Sequence, residues 1–106
     1  MERKEEANNV VLVETLGGHG GAILCLVNVG GWWMASGSAD RTVRIWGKER
    51  GGAYCCKTVL EGHEKPVKSL VAYSGCGDED GKNGVVTLFS GSLDGDIRVW
   101  ELQLQI

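Results

Sequence analysis

A chain of 106 residues is long enough for one small domain and too short for two ordinary ones. Its 42% apolar and 24% charged residues suit a globular protein, and a net charge of −3 argues against nucleic acid or an anionic membrane as partner. Seventeen glycines against one proline, without a G-X-Y period, point to many tight turns between short strands.

Residues 1–9 are charged and polar, a solvated lead-in with no apolar core of a signal peptide behind it. No later run reaches membrane-spanning length. The pattern then predicts short strands at Val10–Leu16, Ala22–Val27, Trp32–Ser36 and Thr42–Trp46. Turns fall at Gly17–Gly21, Asn28–Gly31 and Ala39–Arg41, and no helical period occurs. After a linker at 47–53 the series restarts. Tyr54–Leu60 aligns with Val10–Leu16, His63 with His19, Val67–Val71 with Ile23–Val27, and Thr87–Ser90 with Trp33–Ser36.

The repeat is densest in Ser36-Gly-Ser-Ala-Asp-Arg-Thr-Val-Arg-Ile-Trp46, matched by Ser90-Gly-Ser-Leu-Asp-Gly-Asp-Ile-Arg-Val-Trp100. Six of these eleven positions are identical. The two histidines lie 44 residues apart and the two closing tryptophans 54 apart. The ten additional residues fall in a polar, glycine-rich stretch at 74–84, which reads as a flexible surface insertion.

A period near 44, Gly-His before the second strand, Ser-Gly-Ser, a turn Asp and a closing Trp together resemble the WD40 repeat. The resemblance covers about residues 10–106. It departs at the dipeptide that names the family, since Gly47 follows Trp46 and Glu101 follows Trp100. Within the family, Gly37–Trp46, Val59–His63, Pro66–Leu70 and Ser90–Asp94 are similar to the last two repeats of plant JINGUBANG-type proteins, also labelled myosin heavy chain kinase B-like. No Gly-rich nucleotide loop or catalytic-Asp motif occurs in these residues. The resemblance implies an all-β fold of two four-stranded antiparallel blades, 10–46 and 54–106, forming an incomplete β-propeller. It also implies structural tetrads of His19, Ser36, Asp40 and Trp46, and of His63, Ser90, Asp94 and Trp100.

The residue types of each tetrad also suit a Ser/His/Asp hydrolase. Against that, the set occurs twice, each copy travels with a tryptophan, and neither serine sits on a strand-to-helix elbow. A network tying buried turns is the preferred reading, because an unpaired buried polar group costs about 1–3 kcal/mol. No metal or cofactor is expected. Cys55 and Cys56 are adjacent and point to opposite faces of a strand, and Cys25 and Cys76 complete no CxxC pair. Free thiols in a reducing compartment are expected. Asp78–Asp80 opens like an EF-hand loop, but Lys82 and Phe89 stand where ligands are required.

Adjacent Trp32 and Trp33 are read chiefly as blade packing, with Trp32 and the turn residue Arg41 as candidates for binding a protein partner. Arg44 and Arg98 are expected to be solvated. Two blades leave terminal sheet faces uncovered and strand edges unpaired. Truncation from a larger propeller is the expected explanation, with completion by self-association or another chain next. A non-catalytic protein–protein interaction scaffold in the cytoplasm or nucleus is the expected function, ahead of a hydrolase or a nonfunctional gene fragment.

Overall fold

The computed structural model describes residues 9–74 and 83–105. The lead-in at 1–8 and most of the insertion at 74–84 fall outside those residues. Seven strands are present: β1 (Ile23–Gly30), β2 (Trp33–Ser38), β3 (Val43–Lys48), β4 (Tyr54–Leu60), β5 (Val67–Ser74), β6 (Asn83–Ser92) and β7 (Ile97–Gln105). Among the described residues there is no helix, so none is long and apolar enough to cross a membrane.

All pairings are antiparallel, in a four-stranded sheet β1-β2-β3-β4 and a three-stranded sheet β5-β6-β7. The all-β architecture of an incomplete propeller is therefore present, with one strand fewer in the second sheet than the repeat implies. The reason lies in Tyr54–Leu60. It opens the second repeat in sequence but pairs with β3, setting Val43 opposite Leu60 and Lys48 opposite Tyr54. Its sequence counterpart Val10–Leu16 forms no strand, and Val10 to Val13 are largely exposed. The sheets are thus offset by one strand from the sequence repeats.

Alternation assigns the faces. Cys25, Val27, Ala35, Val43 and Ile45 of the first sheet face Val67, Leu70, Ala72 and Leu88 of the second, with β1 and β2 lying against β5. Val43, Ile45, Val67 and Leu88 are almost wholly buried there. Gly37 permits the close approach: a Cβ at that position would stand 2.7 Å from both Cys25 Sγ and Val67 Cγ1. The Cys25 thiol points across the interface to the Val67 carbonyl at 3.7 Å, and burial pushes its pKa up, keeping it protonated.

Two turns are built alike. In each, the amide two residues before the aspartate donates back to the carbonyl beyond it, Ser38 to Thr42 and Ser92 to Asp96, both at 3.2 Å. The amide after the second serine ties the turn to the preceding segment, Ala39 to Ala22 at 2.9 Å and Leu93 to Pro66 at 3.1 Å.

Candidate functional site

The turn leading into β1 carries His19, β2 carries Ser36, the β2–β3 turn carries Asp40, and β3 carries Trp46. The structure brings all four together. His19 Nδ1 lies 2.8 Å from Asp40 Oδ2, its Nε2 lies 2.7 Å from Ser36 Oγ, and Trp46 Nε1 lies 2.8 Å from the same oxygen. Chemistry fixes the direction of each bond for a neutral ring. The indole can only donate and the carboxylate can only accept, so Nδ1 carries the proton and the serine hydroxyl donates to Nε2.

The second set repeats this geometry. His63 Nδ1 lies 3.0 Å from Asp94, its Nε2 2.8 Å from Ser90 Oγ, and Trp100 Nε1 2.8 Å from Ser90 Oγ. Ser36 and Ser90 are essentially inaccessible, at 2% and 0% exposure. Each hydroxyl donates its one proton to imidazole and accepts from indole. That arrangement braces three chain segments, and Ser36, His19 and Trp46 also border a recess of about 400 Å³ beside β1.

The aspartates are anchored further. Asp40 accepts from the Gly20 amide at 2.8 Å, the Thr42 amide at 2.9 Å and the Thr42 hydroxyl at 2.6 Å. Burial opposes charge on Asp40, yet the bonds from the Thr42 hydroxyl, His19 and the two amides outweigh it and hold the carboxyl well below the usual range. At Asp94 the Glu64 amide at 2.9 Å leads. Against burial, the Asp96 amide at 2.8 Å and His63 add to it, and this carboxyl is also held low.

Sequence reasoning missed Arg44 and Arg98. They are half-buried rather than solvated, and each Nε is shielded from solvent with no hydrogen-bond partner among the described residues. Their guanidinium groups lie against Gly18 and Gly62, the glycines of the two Gly-His pairs, where a Cβ would stand 3.1 and 3.2 Å from Nη1. Those glycines also take φ of +148° and +150°, so backbone and space both favour glycine there. The signal available in sequence was that each arginine recurs with its Gly-His partner.

Trp32 and Arg41 are both exposed but flank opposite ends of β2, and so belong to different rims of the sheet. Trp32 is 64% exposed, with Lys48 Nζ 4.5 Å from its ring centroid. It lines a cleft of about 900 Å³ together with Trp33, Lys48, Glu49, Arg50 and Lys57. Trp33 instead packs its ring over Gly47, where a Cβ would lie 2.9 Å from it. Arg41 has φ of +79°, at the position where the second repeat has Gly95 at +90°. Cys55 is exposed and Cys56 half-buried, the latter 3.4 Å from Arg44 Nη1. Among the described residues no three His, Cys, Asp or Glu side chains gather as a metal site.

Stacked antiparallel sheets, each braced by the same Asp-His-Ser-Trp geometry, define a protein of β-propeller blades. The family model described as WD domain, G-beta repeat matches residues 10–47 and 54–101, and the chain belongs to the WD40-repeat family. It is 37% identical over 70 residues to cell division control protein 4 of Saccharomyces cerevisiae, covering 66% of this chain and 9% of that protein. To the probable cytosolic iron-sulfur protein assembly protein 1 of Neurospora crassa it is 43% identical over 70 residues, covering 66% and 14%. To the mouse WD repeat and FYVE domain-containing protein 1 it is 33% identical over 107 aligned residues, covering 95% and 22%. The chain thus spans less than a quarter of the length of each of these relatives. No solved structure matches it significantly.

Proposed function

We propose that this chain is a non-catalytic scaffold for protein–protein interaction. The observation that carries this reading is the saturation of both serine hydroxyls, each buried between imidazole and indole. A hydrolase needs one accessible nucleophile, whereas two equivalent, closed networks suit a structural tie in each repeat. In this reading the tetrads His19, Ser36, Asp40, Trp46 and His63, Ser90, Asp94, Trp100 hold the turns still, and neighbouring turns meet the partner.

Two rims are candidates. Trp32 offers a large aromatic surface beside Lys48 at one end of β2, the residue type that anchors interfaces. Arg41 keeps a left-handed backbone where the second repeat uses glycine, a strain that suits a side chain needed outside the fold. The cytoplasm or nucleus is the proposed location, in keeping with the word cytosolic in the name of one relative. Plant JINGUBANG-type kinship rests on the motifs at Gly37–Trp46 and Val59–His63, and the repeats 10–46 and 54–106 are the proposed evolutionary units.

A fluorophosphonate probe tests the catalytic alternative. The scaffold reading expects no labelling of Ser36 or Ser90, and stoichiometric labelling of either overturns it. Capture by the immobilised chain tests the rims: a partner retained by the wild type is expected to be lost from Trp32→Ala or from Arg41→Ala. Retention by both variants excludes these two residues.

A further inference from the structure

The two sheets stack in one direction, and each outer surface of the chain matches half of the interface already inside it. The face of the first sheet that carries Val43 and Ile45 is covered by the second sheet. The matching face of the second sheet carries Val71, Tyr73, Ile97 and Val99, exposed at 58, 62, 71 and 64%. At the other end, Ile23 and Leu26 of the first sheet are 48% and 60% exposed. They border an apolar recess of about 400 Å³ with Met34 and Trp46. Their repeat counterparts Val67 and Leu70 are the residues that press against the first sheet.

The strands carry the same polarity. Tyr54–Leu60 leads into the second sheet but pairs with β3 of the first. Val10–Leu16 is its counterpart ahead of the first sheet; among the described residues it joins no sheet and is tethered through Glu14, whose carboxylate accepts from the Tyr54 amide at 2.9 Å, while β7 is an edge strand of its own sheet. Among the described residues a β-rich segment outside any sheet and an edge strand thus stand at opposite ends of one chain, beside the two exposed faces.

We propose that copies of this chain assemble head to tail, repeating the internal sheet-to-sheet interface between molecules. The Val71, Tyr73, Ile97 and Val99 face of one copy packs on the Ile23 and Leu26 face of the next. Val10–Leu16 of that next copy joins β7 as a fourth strand. The β3–β4 register transfers directly, placing Ile97 opposite Leu16, Val99 opposite Glu14 and Glu101 opposite Val11. Such a heterologous contact closes into a ring if the rotation permits and otherwise propagates. Two to four copies supply about four to eight sheets, the range in which propellers close. This assembly stands independently of what the Trp32 and Arg41 rims bind.

Mass measurement by light scattering, combined with directed cross-linking, tests it. The wild-type chain is expected at a multiple of 11.4 kDa. Chains carrying only Val11→Cys, mixed with chains carrying only Glu101→Cys, are expected to form the mixed disulfide in preference to either like pair. Val99→Lys, which alters a side chain exposed in the single chain, is expected to give an 11.4 kDa species that still unfolds cooperatively and whose circular dichroism spectrum loses only the contribution of the Val10–Leu16 strand. A wild-type chain that stays at single-chain mass at every concentration overturns the proposal. So does a preference for like-pair disulfides, or an assembly that survives Val99→Lys.

Discussion

Val43 and Ile97 hold the same position in the two repeats, yet Val43 is fully buried and Ile97 is 71% exposed. Ile45 and Val99 differ in the same way, at 1% and 64%. The residues are chemically interchangeable, so the contrast comes wholly from what lies opposite. The first sheet has the second against this face; among the described residues the second sheet has nothing there.

That asymmetry predicts unequal mutational costs at equivalent sites. Ile45→Ala is expected to destabilise by about 2–5 kcal/mol, because a packed side chain is removed and a cavity remains. Val99→Ala is expected to stay within about 0.5 kcal/mol in the single chain. Urea unfolding at low protein concentration measures both, and equal losses would show that the two faces are covered alike.

The strands containing the repeated motif were legible because alternation and paired turn residues mark them twice. Which sheet Tyr54–Leu60 joins was not, since a repeat records equivalence and not which edge a strand completes. Its β-rich pattern is shared by Val10–Leu16, which forms no strand and meets the start of β4 through the Glu14 carboxylate, which accepts from the Tyr54 amide at 2.9 Å. Similarly, Arg44 and Arg98 looked like surface charges. Their burial follows from the bare backbone of Gly18 and Gly62, a feature visible only when two distant segments are brought together. The tetrad geometry was anticipated through family resemblance, because composition alone cannot separate such a network from a hydrolase triad.

Ser90 joins the second network at its most buried point. Ser90→Ala strands His63 Nε2 and Trp100 Nε1 at once, and each loses a partner worth about 1–3 kcal/mol when desolvated. A clear fall in melting temperature is expected. Asp94→Ala is expected to move in the same direction, because the Glu64 and Asp96 amides lose their acceptor. An unchanged melting temperature in both variants would remove the structural role assigned to the tetrad.

Acid sensitivity follows from the two low carboxyls. In the folded chain Asp40 and Asp94 release their protons more readily than in the unfolded chain, whose value is about 3.9. The unfolded state therefore binds more protons in this range. The stabilisation is present above about pH 4 and is lost as pH falls further, toward the lower folded values. Melting temperature is expected to drop steeply on that acid side. Asp40→Asn should flatten the drop, and an acid limb identical to wild type would place the pH dependence elsewhere.

Gly37 and Gly91 test the sheet interface from the backbone side. At Gly37 a Cβ would meet Cys25 Sγ and Val67 Cγ1, both at 2.7 Å, so either the sheets part or the side chains leave their rotamers. Gly37→Ala is expected to cost about 1–3 kcal/mol, the usual penalty for overpacking. At Gly91, among the described residues, the new methyl would meet only Ser69 Oγ, at 3.0 Å, on the exposed face that carries Ile97 and Val99. Rotation of that hydroxymethyl group relieves the contact, so Gly91→Ala is expected to cost less than Gly37→Ala in the single chain. In the head-to-tail assembly Gly91 takes the place that Gly37 has inside the chain, and Ile23 of the next copy takes the place of Val67. Gly91→Ala should then weaken association while leaving the melting of the dissociated chain nearly unchanged. Measuring both quantities on one variant separates the stability of a sheet from the stability of its contact with a neighbour.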